Sequence, residues 1–218
     1  MGLFKSKEQK MLEEIEKRQM ENKKNGDRFE RKTRRALFNA FDVPVAANII
    51  INNAAGNLTT ELDGAFVTKK GIFCLECKFH KNVYSVKGDL IGDWQTDNYQ
   101  TVENPVHQND LHIKALRQYI DESVPIINLI AMNSNIEFIH FGRQYEGYAF
   151  FVQNKEIALL SMASNKGVKE LKKLIEDQMP DILNENHVKQ VTDFLMTHQA
   201  TPEQREAHKE EMVQIRNM

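Results

Sequence analysis

Apolar residues recur with a helical period over the first 41 residues. Residues 5–24 carry only a thin apolar stripe between many charged side chains, which predicts an exposed helix. The pair Asn25-Gly26 is typical of a helix break, and Asp27 would open a second helix. Five apolar residues would form its inner face: Phe29, Ala36, Leu37, Ala40 and Phe41.

The next apolar runs are short and rich in Ile, Val and Phe, which favours strands. Three strands are predicted in succession, at 45–53, 62–68 and 71–79, with turns at 54–57 and 69–71. Strands joined by such short turns indicate an antiparallel meander.

The rest of the chain mixes helices with strands. The run at 125–133 is almost purely apolar, as in a strand that is covered on both faces. This order predicts an α/β (α+β) fold around one central sheet, with a charged N-terminal helix (1–24), a core domain (25–155) and a C-terminal helical extension (156–218). The other predicted elements are a loop with a short hairpin at 80–103, a helix from Asn104-Pro105 to about residue 121, a strand at 146–153, and helices near 165–178, 185–198 and 202–216.

Charge is distributed unevenly although the net charge is only −2. Residues 1–35 hold 12 Lys and Arg against 7 Asp and Glu, a basic segment that would contact phosphates. A solvated helix with internal ion pairs explains the same residues. No apolar run reaches the roughly 18 residues of a membrane span, and the charged N-terminus is unlike a secretory signal.

Cys74 and Cys77 are the two cysteines of the chain. A zinc site would need a second pair, and positions i and i+3 of a strand point to opposite faces. We therefore predict two buried free thiols, which suit a reducing, cytoplasmic compartment.

Three charged residues fall within the predicted hairpin of residues 62–79. Glu76 and Lys78 are two apart on one strand, so their side chains share a face. A hairpin that turns at 69–70 pairs residues whose numbers add to about 139, which places Asp63 opposite Glu76. Burying charge is costly unless it is compensated, so these side chains should interact.

Two carboxylates and a lysine at one strand end suit phosphate chemistry. Carboxylate oxygens are ligands that Mg²⁺ prefers, and a lysine can position a water or stabilise charge on a phosphate. A partly buried ion pair, of Lys78 with Glu76 or with Asp63, is the alternative.

Four motifs in order resemble the NERD (nuclease-related domain) family of the PD-(D/E)xK phosphodiesterase superfamily, from about Gly26 to residue 152. They are Gly26-x-x-x-Glu30, L-D-G-A-F-V-T with Asp63, G-I-F-C-L-E-C-K with Glu76 and Lys78, and N-P-V-H-Q-N-D-L-H with Gln108.

The resemblance implies a restriction-endonuclease-like core with a mixed sheet of four to five strands flanked by helices. It also implies that Asp63 and Glu76 bind Mg²⁺ or Mn²⁺, that Lys78 is the catalytic lysine, and that Glu30 and Gln108 complete the catalytic set. The family usually has glycine where this chain has Phe29, so a surface pair of Glu30 with Arg34 is an equal alternative.

Several polar and aromatic residues have two interpretations. Asn104 is favoured as the cap of the helix that begins at Pro105, whereas Gln108 would act either in the site or in a capping box. His107 and His112 are interpreted as surface or hydrogen-bonded histidines. An aromatic and basic surface for single-stranded nucleic acid, or ordinary loop packing, explains five further residues: Tyr84, Trp94, Tyr99, Lys81 and Lys87.

The leading hypothesis is a cytoplasmic, metal-dependent nuclease that cleaves DNA. The alternative is a non-catalytic nucleic-acid-binding or protein-interaction module that keeps the fold, with a homodimer or a partner protein held through the terminal helices. A membrane-surface role through lipidation of Gly2 is disfavoured, because glutamates interrupt the basic N-terminal helix.

Overall fold

The computed structural model describes residues 7–53, 55 and 58–216. Gly2 and most of the predicted turn at 54–57 lie outside these residues. The helices are α1 (Lys7–Phe41), α2 (Pro105–Arg117), α3 (Lys166–Gln178), α4 (Glu185–Thr197) and α5 (Pro202–Arg216). The strands are β1 (Val45–Asn52), β2 (Thr59–Thr68), β3 (Gly71–Lys78), β4 (Ser85–Gly88), β5 (Trp94–Thr96), β6 (Thr101–Val102), β7 (Ile126–Met132), β8 (Asn135–His140), β9 (Arg143–Tyr145), β10 (Ala149–Val152) and β11 (Ile157–Ser161).

A six-stranded mixed sheet forms the centre of the fold, in the order β1-β2-β3-β7-β11-β10. The meander β1-β2-β3 is antiparallel, as predicted, whereas β3, β7 and β11 run parallel. The predicted α/β class with a central mixed sheet is confirmed, with six strands where four to five were expected. The predicted core boundary at residue 155 falls between β10 and β11, two neighbours in this sheet.

Helices cover both faces of the central sheet. On one face, α1 and α3 pack on apolar side chains that include Phe73 and Leu75 of β3. On the other face, α2 and α4 pack on a cluster that includes Ile72 and Cys74. Successive apolar side chains of β3 thus point to opposite faces of the sheet, as expected of a strand.

Helix α1 is continuous from Lys7 to Phe41, so the predicted break at Asn25-Gly26 is wrong. Glycine inside a helix costs only about 1 kcal/mol relative to alanine. Strong helix formers on both sides, and packing of Phe29 and Leu37 in the core, offset that cost. Gly26 therefore stands in the interior of one helix that carries Glu30 to the sheet.

A second sheet has five short strands in the order β6-β5-β4-β8-β9. Three of them, β4, β5 and β6, lie in the segment 80–103 that was predicted as a loop with a short hairpin, and β5 and β6 form such a hairpin. The second sheet packs against the central sheet through Trp94 and Phe138, which are fully buried. Within the described ranges, the helices include none that is both long and apolar enough to cross a membrane.

Candidate active site

The hairpin of β2 and β3 brings Asp63 to the level of Glu76. The pairs Thr68↔Gly71 and Gly64↔Leu75 have the predicted register. Asp63 Oδ2 accepts a hydrogen bond from the backbone N–H of Cys77 at 2.7 Å. The predicted proximity of the two carboxylates is therefore present, and a strand backbone fixes one of them.

Glu76 and Lys78 form an ion pair at the C-terminal end of β3. Lys78 Nζ lies 2.7 Å from Glu76 Oε1, and Glu76 is only 3% exposed. The ion pair that was the alternative interpretation thus exists. It lies within the cluster of Asp63, Glu76 and Lys78 that the resemblance indicates. A buried glutamate beside a lysine is held in one conformation by this contact.

Helix α2 adds Gln108 to the cluster. The Gln108 side-chain oxygen accepts a hydrogen bond from Lys78 Nζ, so Gln108 contacts the cluster directly. Asn104 is the N-cap, as predicted, because its side chain accepts a hydrogen bond from the Val106 N–H. The cap fixes the first turn of α2, and with it the position of Gln108.

Helix α1 brings Glu30 to the cluster through Arg34. Arg34 Nη1 lies 3.3 Å from Glu30 Oε2 and donates to the backbone oxygen of Asp63 at 2.7 Å. The i,i+4 pair is real, but Glu30 is half-buried rather than on the surface. Phe29, at the family's usual glycine position, packs in the core against Phe79.

His112 is a residue of the cluster that the sequence interpretation did not include. Its Nε2 lies 3.6 Å from Glu76 Oε2, and its Nδ1 is 2.7 Å from Thr60 Oγ1. Burial lowers the pKa of His112 to about 4, so the ring is neutral at pH 7. The sequence spacing could have indicated this position, since Gln108 and His112 are four residues apart on one helix and therefore share a face.

Burial makes the negative charge of this cluster unfavourable. It is the main cause that raises the pKa of Asp63 well above its usual value, with repulsion from Glu76 and Glu30 adding to it. Burial likewise raises the pKa of Glu76, against the opposing effect of Lys78, and raises the pKa of Glu30, against Arg34. A bound cation would stabilise these carboxylates in their ionised form.

The donor set is small. Within the described part of the chain, three or more His, Cys, Asp or Glu side chains nowhere converge as a metal site would require. Asp63 and Glu76 provide two carboxylates, and Mg²⁺ is commonly bound by one or two carboxylates while it keeps several waters. The chemistry of the two residues therefore fits Mg²⁺ or Mn²⁺.

The other candidate residues have different surroundings. His107 is exposed and contacts the backbone oxygen of Leu90. Cys74 and Cys77 are free thiols, as predicted; Cys74 is buried, whereas Cys77 is only partly buried. Trp94 is buried in the second sheet, whereas Tyr84 and Tyr99 are exposed.

Comparison with known proteins gives one match. A family model described as the nuclease-related domain matches residues 25–133, half of the chain. The matched segment contains every residue of the cluster, from Glu30 on α1 to His112 on α2. No curated protein and no solved structure shows a significant match.

Proposed function

The chain belongs to the nuclease-related domain family, and on that premise we propose that it is a metal-dependent nuclease that hydrolyses phosphodiester bonds of DNA. The observation that carries the proposal is the contact of Lys78 with both Glu76 and Gln108, beside Asp63. Two carboxylates, a lysine and an amide from three elements thus meet at one half-buried point.

Asp63 and Glu76 are the residues that would hold Mg²⁺ or Mn²⁺. Such a cation, when bound, lowers the pKa of a coordinated water and offsets negative charge on the phosphate. Asp63 presents its carboxylate from β2 and Glu76 from β3, and the Cys77 N–H fixes one of the Asp63 oxygens. The protein thereby holds two oxygen ligands in place before substrate arrives.

Lys78 would bind and orient the scissile phosphate. A lysine ammonium has three N–H donors, of which one faces Glu76 and one faces Gln108. The third is available to a phosphate oxygen or to the attacking water. Gln108 would keep Lys78 in this position, because its side-chain oxygen accepts from the same nitrogen.

Metal binding and cleavage test the proposal together. Titration calorimetry with Mg²⁺ and with Mn²⁺ would compare the wild-type protein with the double variant Asp63→Asn/Glu76→Gln, which keeps the shape of both side chains. A panel of plasmid and oligonucleotide substrates would then be incubated with each protein. Glu137→Gln, an exposed carboxylate on β8, is the matched control.

We expect the double variant to lose metal binding and cleavage, and the Glu137→Gln protein to keep both. Cleavage by the purified double variant would refute the assignment of the site. If the wild-type protein binds no divalent ion even with DNA present, the cluster is a structural ion pair, and the chain is a non-catalytic module of the same fold.

A further inference from the structure

Two exposed tyrosines flank the segments that carry the candidate catalytic residues. Tyr84 is 76% exposed and lies between Lys78 and the start of β4. Tyr99 is 90% exposed and lies in the turn between β5 and β6, the hairpin that leads into α2 and Gln108. Tyrosine is intermediate in its tendency to be buried, and rings as exposed as these two are free to contact a ligand.

The two tyrosines belong to one rigid corner of the second sheet. The carboxylate of Asp97 accepts a hydrogen bond from the Tyr84 N–H at 2.9 Å, and the Asp97 N–H donates to the Ser85 oxygen at 3.0 Å. Tyr99 follows Asp97 by two residues in the same turn. The backbone therefore holds both rings at the end of the sheet where β4 begins.

The backbone conformation of Tyr99 does not favour a tyrosine. Its φ is +64°, in the left-handed region that glycine and asparagine adopt most readily. The turn is closed by hydrogen bonds between Thr96 and Gln100, with the Thr96 N–H and the Gln100 N–H as donors. A large ring at a strained, solvent-facing position contributes little to folding. Phe141 shares these two properties, so the case for binding at Tyr99 rests on its place beside Tyr84 and on the short path to Lys78.

The connection to the candidate active site is short and fixed. Tyr84 follows Lys78 by six positions, which limits the distance between their Cα atoms to about 20 Å. The side chain of Asn133 holds this segment by two hydrogen bonds with the backbone of His80, at 2.8 and 2.9 Å. The segment also carries Lys81, which is half-exposed and pairs with Glu21 of α1.

We propose that Tyr84 and Tyr99 form a stacking platform for unpaired bases of single-stranded DNA that leads into the site of Lys78. This inference rests on the proposed function, since it names the form of the substrate. Bases stack on exposed aromatic rings without regard to sequence, and cations along the path bind the phosphates. The exposed Lys87 of β4 supplies such a cation, and Lys81 supplies a second where a phosphate replaces its partner Glu21. Bases within a duplex already stack on one another, so the platform favours single strands.

The test measures binding without cleavage. Fluorescence anisotropy in the presence of a metal chelator would give the Kd of a labelled single-stranded oligonucleotide and of its duplex. Tyr99→Gly removes the ring and suits the left-handed backbone, so the variant should unfold at the same temperature or higher. Tyr84→Ala removes the second ring. Tyr99→Phe keeps an aromatic face.

Phe141 offers a matched control. It is 91% exposed at φ +47° in the turn between β8 and β9. The register of β4 with β8 places this turn beyond the opposite end of the second sheet, roughly 20 Å from Tyr99 at 3.3 Å per residue. Phe141→Gly therefore removes a similar ring from a similar turn that is far from the platform.

We expect Tyr99→Gly and Tyr84→Ala each to weaken single-strand binding by about five- to 100-fold, at low and at high salt alike because the rings carry no charge. Tyr99→Phe and Phe141→Gly should bind as the wild-type protein does, and duplex affinity should change little. The inference is overturned if both tyrosine variants bind single strands normally, if Phe141→Gly loses as much affinity, or if no single strand binds at all. The inference is also overturned if the two tyrosine variants keep their affinity for DNA but no longer bind a protein partner of the wild-type protein.

The two proposals fail separately. If the tyrosine variants bind single strands normally while the wild-type protein cleaves DNA through Asp63 and Glu76, the platform is wrong and the nuclease stands. If the wild-type protein cleaves no substrate, yet its single-strand affinity depends on Tyr84 and Tyr99, the nuclease is wrong and the platform stands.

Discussion

The carboxylate of Asp63 accepts a hydrogen bond from the backbone N–H of Cys77 at 2.7 Å. This contact joins β2 to β3 one residue beyond Glu76, and it fixes a carboxylate whose ionised form is disfavoured by burial. Asp63 is thus held by the backbone of the strand that carries Glu76 and Lys78. Its negative charge, when present, destabilises the folded protein.

Replacing Asp63 by asparagine should separate stability from function. The Asn side-chain oxygen can still accept from the Cys77 N–H, but no charge is buried. Because the folded pKa of Asp63 lies above its unfolded value of about 4, wild-type stability falls as pH rises from about 4 through the folded pKa. We expect Asp63→Asn to be more stable than the wild-type protein at pH 7, yet to lose metal binding and about 100-fold or more of the cleavage rate.

Urea unfolding at a series of pH values, with calorimetry in Mg²⁺, checks this prediction. Glu137→Gln, at the exposed position on β8, serves as the control for loss of one carboxylate. A less stable Asp63→Asn protein at neutral pH would show that the buried charge is compensated in the folded state.

Gln108→Ala should reduce cleavage while it leaves DNA affinity nearly unchanged. The substitution removes the oxygen that accepts from Lys78 Nζ, so the lysine loses a contact that orients it. Loss of such a supporting contact commonly costs about 10- to 100-fold in activity. Leu111→Ala, exposed on the same helix, is the control. A change in KM alone, with kcat intact, would assign Gln108 to substrate binding.

The sequence predicted local relationships well and distant ones poorly. The β2–β3 register and the faces of β3 follow from a period of two and one tight turn, so Asp63, Glu76 and Lys78 could be placed together. The contact between Gln108 and Lys78 depends on how α2 packs on the sheet, which a motif indicates only through its family.

The errors have particular causes. The break at Gly26 was inferred from local propensity, which helix packing overrides. The second sheet is built from strands of two to six residues, too short for a clear alternation. Its turns place Tyr99 and Phe141 at left-handed backbone positions, where glycine or asparagine is favoured.

His112 should make the protein sensitive to mild acid. Its folded pKa of about 4 lies below the usual 6.5, chiefly through burial. The unfolded chain therefore binds a proton first, and the stability that His112 contributes is complete above about pH 6.5 and is lost as pH falls toward 4. Between about pH 7.5 and about pH 5 the loss amounts to about 2 kcal/mol.

Urea unfolding of the wild-type protein and of His112→Asn at these two pH values isolates this effect. An asparagine amide can keep the contact with Thr60 but does not titrate. We expect the difference in unfolding free energy between the two proteins to shrink at the lower pH. An equal difference at both values would mean that His112 is protonated normally in the folded protein.

Gly26→Ala should stabilise the protein, because Gly26 lies inside the continuous helix α1. A Cβ built at this position has no neighbour within 4 Å among the described residues, so alanine fits without a clash. Alanine in place of an interior helical glycine gains about 0.5–1 kcal/mol. Gly64→Ala is the contrast, since its Cβ would lie 2.9 Å from the backbone oxygen of Ala46 and should destabilise the hairpin by about 1–3 kcal/mol. Thermal unfolding of both variants measures the two effects, and a less stable Gly26→Ala protein would indicate that the chain bends at Asn25-Gly26 in solution.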